Sequence, residues 1–90
     1  GAELVSDNGR VSLLYDAKVV NIVASGPSPI TVRWDTKTPG DAHGAAVDDT
    51  GTGTVTDETL YELINAPGYG PHRIDIDATK GFKIYTFTFG

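Results

Sequence analysis

The chain has 90 residues, of which 39% are hydrophobic and 21% charged, and its formal net charge is −5. That length and composition predict one globular domain over residues 1–90 with room for a single core. Seven basic against twelve acidic residues, with no basic cluster, argue against nucleic-acid binding. The lack of cysteine excludes disulfides, thiolate metal ligands and thiol redox chemistry within this chain. No apolar run approaches the ~20 residues that cross a bilayer, so we expect no membrane insertion.

Apolar and polar residues alternate along most of the chain, which is typical of half-buried antiparallel strands. The predicted strands, in chain order, are residues 11–16, 19–23, 30–35, 74–77 and 82–89. The β-branched run at 19–23 indicates a strand covered on both faces. In the last strand, the alternation places Tyr85, Phe87 and Phe89 together on a face that we expect to join the core.

Glycine and proline clusters separate these strands. The predicted turns and loops are Asn8–Gly9, 25–29, 39–41, 51–53, 67–71 and 80–81. Asn8–Gly9 is the strongest hairpin signal, because a type I′ turn needs positive φ at both central residues. Residues 57–65 form either a strand or a single helical turn. The longest irregular stretch, 39–57, is either functional or contains a short strand near residues 53–56.

Short strands at regular spacing, separated by turn residues, predict an all-β antiparallel sandwich of the jelly-roll type. The sequence contains no nucleophile elbow, no His-Glu-x-x-His and no phosphate-binding loop, so we expect no catalytic residues, no metal site and no cofactor. His43 and His72 lie far apart in sequence and are expected to be solvated or hydrogen-bonded rather than metal ligands. Asp48 opens an Asp- and Thr-rich stretch similar to a calcium loop. The match is poor, and a plain turn is the favoured interpretation.

Two aromatic residues are candidates for binding a partner. Trp34 is the only tryptophan, but Ile30 and Val32 share its strand face, which favours a place in the core. Tyr69 lies between glycines in a Pro-Gly-Tyr-Gly-Pro segment, so it is either an exposed anchor or folded back over the sheet. The predicted binding residues are Tyr69, His72, His43, Asp48 and Trp34.

Several sequence elements occur in the order of one known family. They are Arg10–Leu13, Ala17–Val23, Asp41–Gly44, Gly51–Val55, Leu60–Ile64 and the ending Tyr85–Gly90. Together they resemble the C-terminal accessory domain of DipZ-type thioredoxin-like proteins, over nearly the whole chain.

This resemblance implies a fold similar to carbohydrate-binding modules and an extracytoplasmic location. It also implies a neighbouring thioredoxin domain that holds the Cys-x-x-Cys motif, so that this chain is a domain excised from the C-terminal end of a larger protein. Two functions follow as expectations. One is a non-catalytic module that binds carbohydrate or cell-envelope glycan. The alternative is a structural domain that docks on the thioredoxin domain and positions it. We expect a monomer.

Overall fold

A computed structural model describes residues 9–90 of the chain. Its elements are β1 (Arg10–Ser25), β2 (Ser28–Trp34), a 3₁₀ turn (Gly40–Ala42), β3 (Thr52–Val55), β4 (Thr59–Ala78) and β5 (Lys83–Phe89). The predicted Asn8–Gly9 turn lies partly outside the described residues. Gly9 itself has a φ of 68°, which suits a glycine.

The described strands form one antiparallel sheet in the order β3-β2-β4-β1-β5. The prediction of an all-β antiparallel fold is therefore confirmed. Residues 9–90 form five strands within a single sheet, and the jelly-roll sandwich stays a prediction. β1 and β4 are the two central strands, and each of the other strands pairs with one of them or with β2.

The two central strands are too long to be straight. A 20-residue strand such as β4 would extend for about 65 Å, but the domain measures only 32 Å in its longest dimension. The β1–β4 pairing is interrupted at two places. The wider interruption lies between the pairs Ala17–Gly70 and Val19–Asn65 and leaves residues 66–69 opposite Lys18 alone, and the narrower one leaves Leu63 without a partner. Such a bulge bends a strand and increases its twist.

The bulge also changes which residues of β1 face inward. Before it the odd-numbered side chains of β1 face the core, ending at the buried Ala17. After it the even-numbered ones are buried, beginning at Val20. Val19 and Val23, on the opposite face, are half-buried. The run at 19–23 is therefore covered mainly on one face, and not on both as the sequence predicted.

The bend allows both halves of the sheet to share one core. This core contains side chains from all five strands: Val20, Ile22, Ala24, Ile30, Val32, Val47, Val55, Leu63, Ile64, Ala66, Ile74, Ile76, Phe82 and Ile84. At β5 the outcome is mixed. Phe87 packs against the core, Phe89 is 46% exposed, and Tyr85 occupies the irregularity in the β1–β5 pairing.

Two uncertain segments are resolved as strand. Residues 57–65 contribute the start of β4, and the short strand expected near 53–56 is β3. The predicted loop at 67–71 lies inside β4 as the bulged segment rather than joining two strands. Pro67 and Gly68 do not end the strand, because they lie in the unpaired segment, which supplies no ladder donors.

The core position of Ile22 generates a stability prediction. Its side chain is fully buried between Tyr61 of β4 and Phe87 of β5. We expect Ile22→Ala to lower the free energy of unfolding by about 2–5 kcal/mol, because it leaves a cavity. Leu14→Ala, at an exposed position of the same strand, is the control and should stay within about 0.5 kcal/mol. Urea denaturation measures both, and a cost below about 1 kcal/mol for Ile22→Ala would contradict the assigned core.

Candidate functional site

Five rings from four strands form a continuous row at the rim of the core, which we call the aromatic row. Trp34 of β2 lies 4.4 Å from His72 of β4, and His72 lies 6.0 Å from Tyr15 of β1 (ring centroids). Tyr15 stacks on Phe89 of β5 at 5.6 Å, and Phe89 on Phe87 at 6.2 Å. These distances are those of favourable aromatic pairs. Four of the rings are half-buried and Phe89 is exposed.

A tight turn fixes the Trp34 end of the row. Trp34 and Lys37 exchange backbone hydrogen bonds, with N···O distances of 2.7 and 3.1 Å. The two residues between them, Asp35 and Thr36, have φ values of 53° and 68°. Positive φ at both central residues is the geometry of a type I′ hairpin turn, and aspartate tolerates it well.

Asp35 joins this turn to the neighbouring strand β4. Its carboxylate lies 2.6 Å from Nδ1 of His72 and accepts a hydrogen bond from the Arg73 amide at 2.9 Å. Burial alone would raise the pKa of Asp35, but the hydrogen bonds from Arg73 and His72 and the charges of His72 and Lys37 lower it below its ordinary value. A carboxylate therefore stands beside the aromatic row at neutral pH, and 47% of its side chain remains exposed.

Tyr15 occupies the centre of the row, and its hydroxyl group is both an acceptor and a possible donor of hydrogen bonds. Its hydroxyl accepts a hydrogen bond from Nε1 of Trp34 at 2.8 Å. Burial raises the pKa of Tyr15 above its ordinary value, against a smaller lowering by the Trp34 hydrogen bond. The phenol thus keeps its proton at neutral pH, and that proton remains available to donate. Trp34 itself packs against the core, as the strand pattern favoured.

Tyr69 is an exposed residue on the bulge. It is 78% exposed, and no hydrogen bond or ring contact within residues 9–90 holds it. The ring is therefore exposed and not folded back over the sheet, and its role as an anchor for a partner stays a prediction. Along β4 it lies three residues before His72, in the segment 66–69 that has no ladder partner in β1.

The other two predicted residues belong to a separate structural turn. Nδ1 of His43 donates to the carbonyls of Val47 and Gly44, at 2.7 and 2.9 Å. Oδ1 of Asp48 accepts hydrogen bonds from the amides of Thr50 and Thr52, both at 3.0 Å. These bonds close the loop beside β3, which agrees with a plain turn rather than a calcium loop. The structure therefore separates His43 and Asp48 from the aromatic row.

Four members of the site, Tyr15, Phe87, Phe89 and Asp35, were not among the binding residues predicted from the sequence. Tyr15 and Phe89 were assigned to core faces by their alternation, and nothing in the sequence shows that the bend brings them together. Asp35 was included as the last residue of the predicted strand 30–35, and Asp-Thr is not a common type I′ pair. The one local indication of this turn in the sequence is Asp35 itself, because aspartate is common in turns.

The outer face of the first half of the sheet carries a buried carboxylate. Asp75 is 2% exposed, and its Oδ1 accepts hydrogen bonds from Ser12 at 2.5 Å and from Arg73 at 3.1 Å. Burial alone would raise the pKa of Asp75. The hydrogen bonds from Ser12 and Arg73, with the charges of Arg73 and Arg10, outweigh it and lower the pKa. This pairing satisfies a charge that would otherwise be costly to bury.

Two structural features were sought in the part of the chain that the structure describes: a cluster of metal-ligating side chains and a membrane-spanning helix. Residues 9–90 contain no group of three or more His, Asp or Glu side chains placed to hold a metal ion. Among the same residues, no helix is long and apolar enough to span a membrane.

These features define the class of protein as a small, cysteine-free antiparallel β domain. Its most prominent surface features are the aromatic row and several exposed apolar side chains. The family model described as thioredoxin like C-terminal domain matches residues 1–90, and the chain belongs to this family. It is thus an accessory module of a thioredoxin-like protein. Neither a curated protein nor a solved structure matches the chain.

The buried Asp75 generates a prediction of pH dependence. Because its folded-state pKa is lowered, its stabilising contribution is complete above the unfolded-state pKa of about 3.9 and is lost as the pH falls through the folded-state value. We expect Asp75→Asn to destabilise the domain by about 1–3 kcal/mol at pH 7 and to flatten the loss of stability in acid. Urea denaturation between about pH 2 and 7 measures both effects.

Ser12→Ala is the matched control, because it removes one hydrogen bond to Asp75 and should flatten the acid dependence only in part. An acid dependence as steep in Asp75→Asn as in the unchanged chain would contradict the role assigned to this carboxylate.

Proposed function

We propose that this module is non-catalytic and recognises a carbohydrate, such as a cell-envelope glycan, through the aromatic row and Tyr69. The observation that carries the proposal is the run of ring contacts from Trp34 to Phe89 with the exposed Asp35 carboxylate at one end. Aromatic faces bind the apolar faces of sugars, and a few placed polar groups fix the orientation of a ligand.

The polar groups beside the row suit hydroxyl ligands. Tyr15 has a proton to donate, and the exposed part of the Asp35 carboxylate can accept. Tyr69 offers a large aromatic surface that orders little on binding, because prolines restrict the backbone on both sides of it. The proposal includes the finer parts of the resemblance: a DipZ-type parent, a sandwich similar to carbohydrate-binding modules, and an extracytoplasmic location.

Tyr69→Ala tests the glycan proposal. Because Tyr69 is exposed and without hydrogen bonds, the substitution should leave stability within about 0.5 kcal/mol. We expect the dissociation constant for a soluble cell-wall oligosaccharide to rise by at least about tenfold, which is about 1.4 kcal/mol. Isothermal titration calorimetry measures the affinity.

Leu60→Ala is the control for this test. Leu60 is also exposed, but it lies on the outer face opposite Val23, so its loss should not change the affinity. Absence of binding at millimolar concentrations across a panel of cell-wall glycans would refute carbohydrate recognition.

Docking on a neighbouring thioredoxin domain is the second candidate function, and Leu14 favours it. This leucine is 78% exposed on the outer face of β1, next to its ladder partner Arg73. Covering so exposed an apolar side chain with a partner removes its surface from water, which favours association. The family supports the same function, since its members are C-terminal domains of thioredoxin-like proteins.

Amide chemical-shift mapping separates this second function from the first. If docking occurs, linking this chain to a thioredoxin-like domain should shift the amides around Leu14 and Arg73, and Leu14→Ser should remove most of that shift. The control is Leu60→Ser, which makes the same substitution at an exposed leucine on the other half of the sheet. Identical spectra for the linked and unlinked chain would exclude docking.

A further inference from the structure

The two ends of the sheet differ in how they are protected. At one end, β3 is covered: Val47 bridges to Gly53, and the Asp48 amide donates to the Thr52 carbonyl at 3.0 Å. At the other end, β5 pairs with β1 on one side only among residues 9–90. An edge strand presents a row of backbone groups that can pair with another strand.

The hydrogen-bond pattern identifies the backbone groups that face outward. Gly90 and Val19 exchange two backbone hydrogen bonds, both 3.0 Å long. Hydrogen-bonded and non-hydrogen-bonded pairs alternate in an antiparallel ladder. The pair of Val20 with Phe89 is therefore non-hydrogen-bonded, and so is that of Ile22 with Phe87. The N–H and C=O groups of Phe87 and Phe89 point away from β1.

From residue 84 onward, this edge also lacks the features that usually prevent an edge strand from pairing with another strand. Natural edges carry charges, prolines or bulges. Residues 84–90 contain neither a charge nor a proline, and the one irregularity of β5 lies before Thr86. By contrast, the half of β1 that β5 does not reach carries Arg10 and Asp16.

We propose that β5 pairs with β5 of a second copy of this chain, in antiparallel orientation about a two-fold axis at Thr88. In this register Phe87 lies opposite Phe89 of the second copy, and the outward groups of both form about four backbone hydrogen bonds. Each Phe89 ring, 46% exposed in the single chain, meets a ring across the interface, which is a favourable cross-strand pair.

A second copy fits this edge better than an unrelated strand because the edge is complementary to itself. Thr86 and Thr88 lie on one face and Phe87 and Phe89 on the other, so the two-fold pairing places threonine by threonine and phenylalanine by phenylalanine. The chain carries a net charge of −5, but residues 86–90, which form the contact, have no charged side chain and so place no like charges against each other. The resulting dimer differs from the monomer expected from the sequence, and it does not depend on glycan binding.

The test exploits the position of Thr88, which meets its own copy at the axis. Sedimentation velocity from about 10 μM to 1 mM should show a weak, concentration-dependent dimer, as expected for a small interface. Thr88→Lys and Thr88→Glu should each raise the dissociation constant at least about tenfold, because like charges directly opposite each other repel. An equimolar mixture of the two variants should form a heterodimer at low salt. Thr54→Lys, at an exposed position of β3, is the control and should leave association unchanged.

Amide hydrogen exchange of the unchanged chain gives a second measurement that needs no variant. The Phe87 and Phe89 amides should gain protection as the concentration rises, whereas the inward-pointing Thr86 and Thr88 amides should be protected throughout. A monomer at every concentration, unchanged dimerisation of Thr88→Lys, or a mixture of the two charged variants that stays monomeric would each overturn the proposal. If the chain stays monomeric but a thioredoxin-like domain protects the same two amides, the edge binds a different partner and the proposal is wrong.

Discussion

The pairing of β1 with β4 and its interruption at Lys18 are the constraint on which the rest of the structure depends. The two strands are paired on both sides of the bulge, and together they are too long for a straight ladder within 32 Å. Because β1 and β4 bend, a single sheet can bury apolar side chains from both of its halves in one core. A small domain has little surface to bury, so this sharing supplies most of the apolar contact available to it.

The aromatic row is a direct consequence of that bend. Phe89 is paired with Val20, five residues beyond Tyr15 in β1, and in a straight strand those positions are about 17 Å apart. The Tyr15 and Phe89 rings are nevertheless 5.6 Å apart. The row therefore joins two parts of the sheet that are distant along the strand, and a substitution that straightens the bulge would disrupt the row without touching any of its rings.

The sequence predicted the strand class well because side-chain alternation is a local property. The positions of Ile30, Val32, Ile74 and Ile76 in the core follow from it directly. It could not predict the bulge, since a change of inward-facing parity at Lys18 depends on pairing with a segment more than forty residues away. That is also why β1 was taken for two strands, and why Tyr15 and Phe89 were not recognised as neighbours.

Only some features of the candidate site follow from the sequence. The exposure of Tyr69 was one of its two predicted states, because flanking glycines remove local packing partners. The binding roles of His43 and Asp48 stay predictions, and the sequence could not distinguish them from structural roles, because polar residues that close a turn have the same composition as residues that bind a ligand. Their hydrogen bonds to the loop backbone leave little of their polarity for a partner.

This chain has no cysteine and so supplies none of the thiolates that dithiol chemistry requires. Its three candidate contact surfaces lie on different parts of the sheet. Leu14 is on the outer face, opposite the side of β1 that carries Tyr15, so a docked domain there and a ligand on the aromatic row do not compete. The β5 edge adjoins the row only at Phe87 and Phe89. A second copy would therefore cover that end of the row and leave the end with Trp34, His72 and Asp35 open to a ligand.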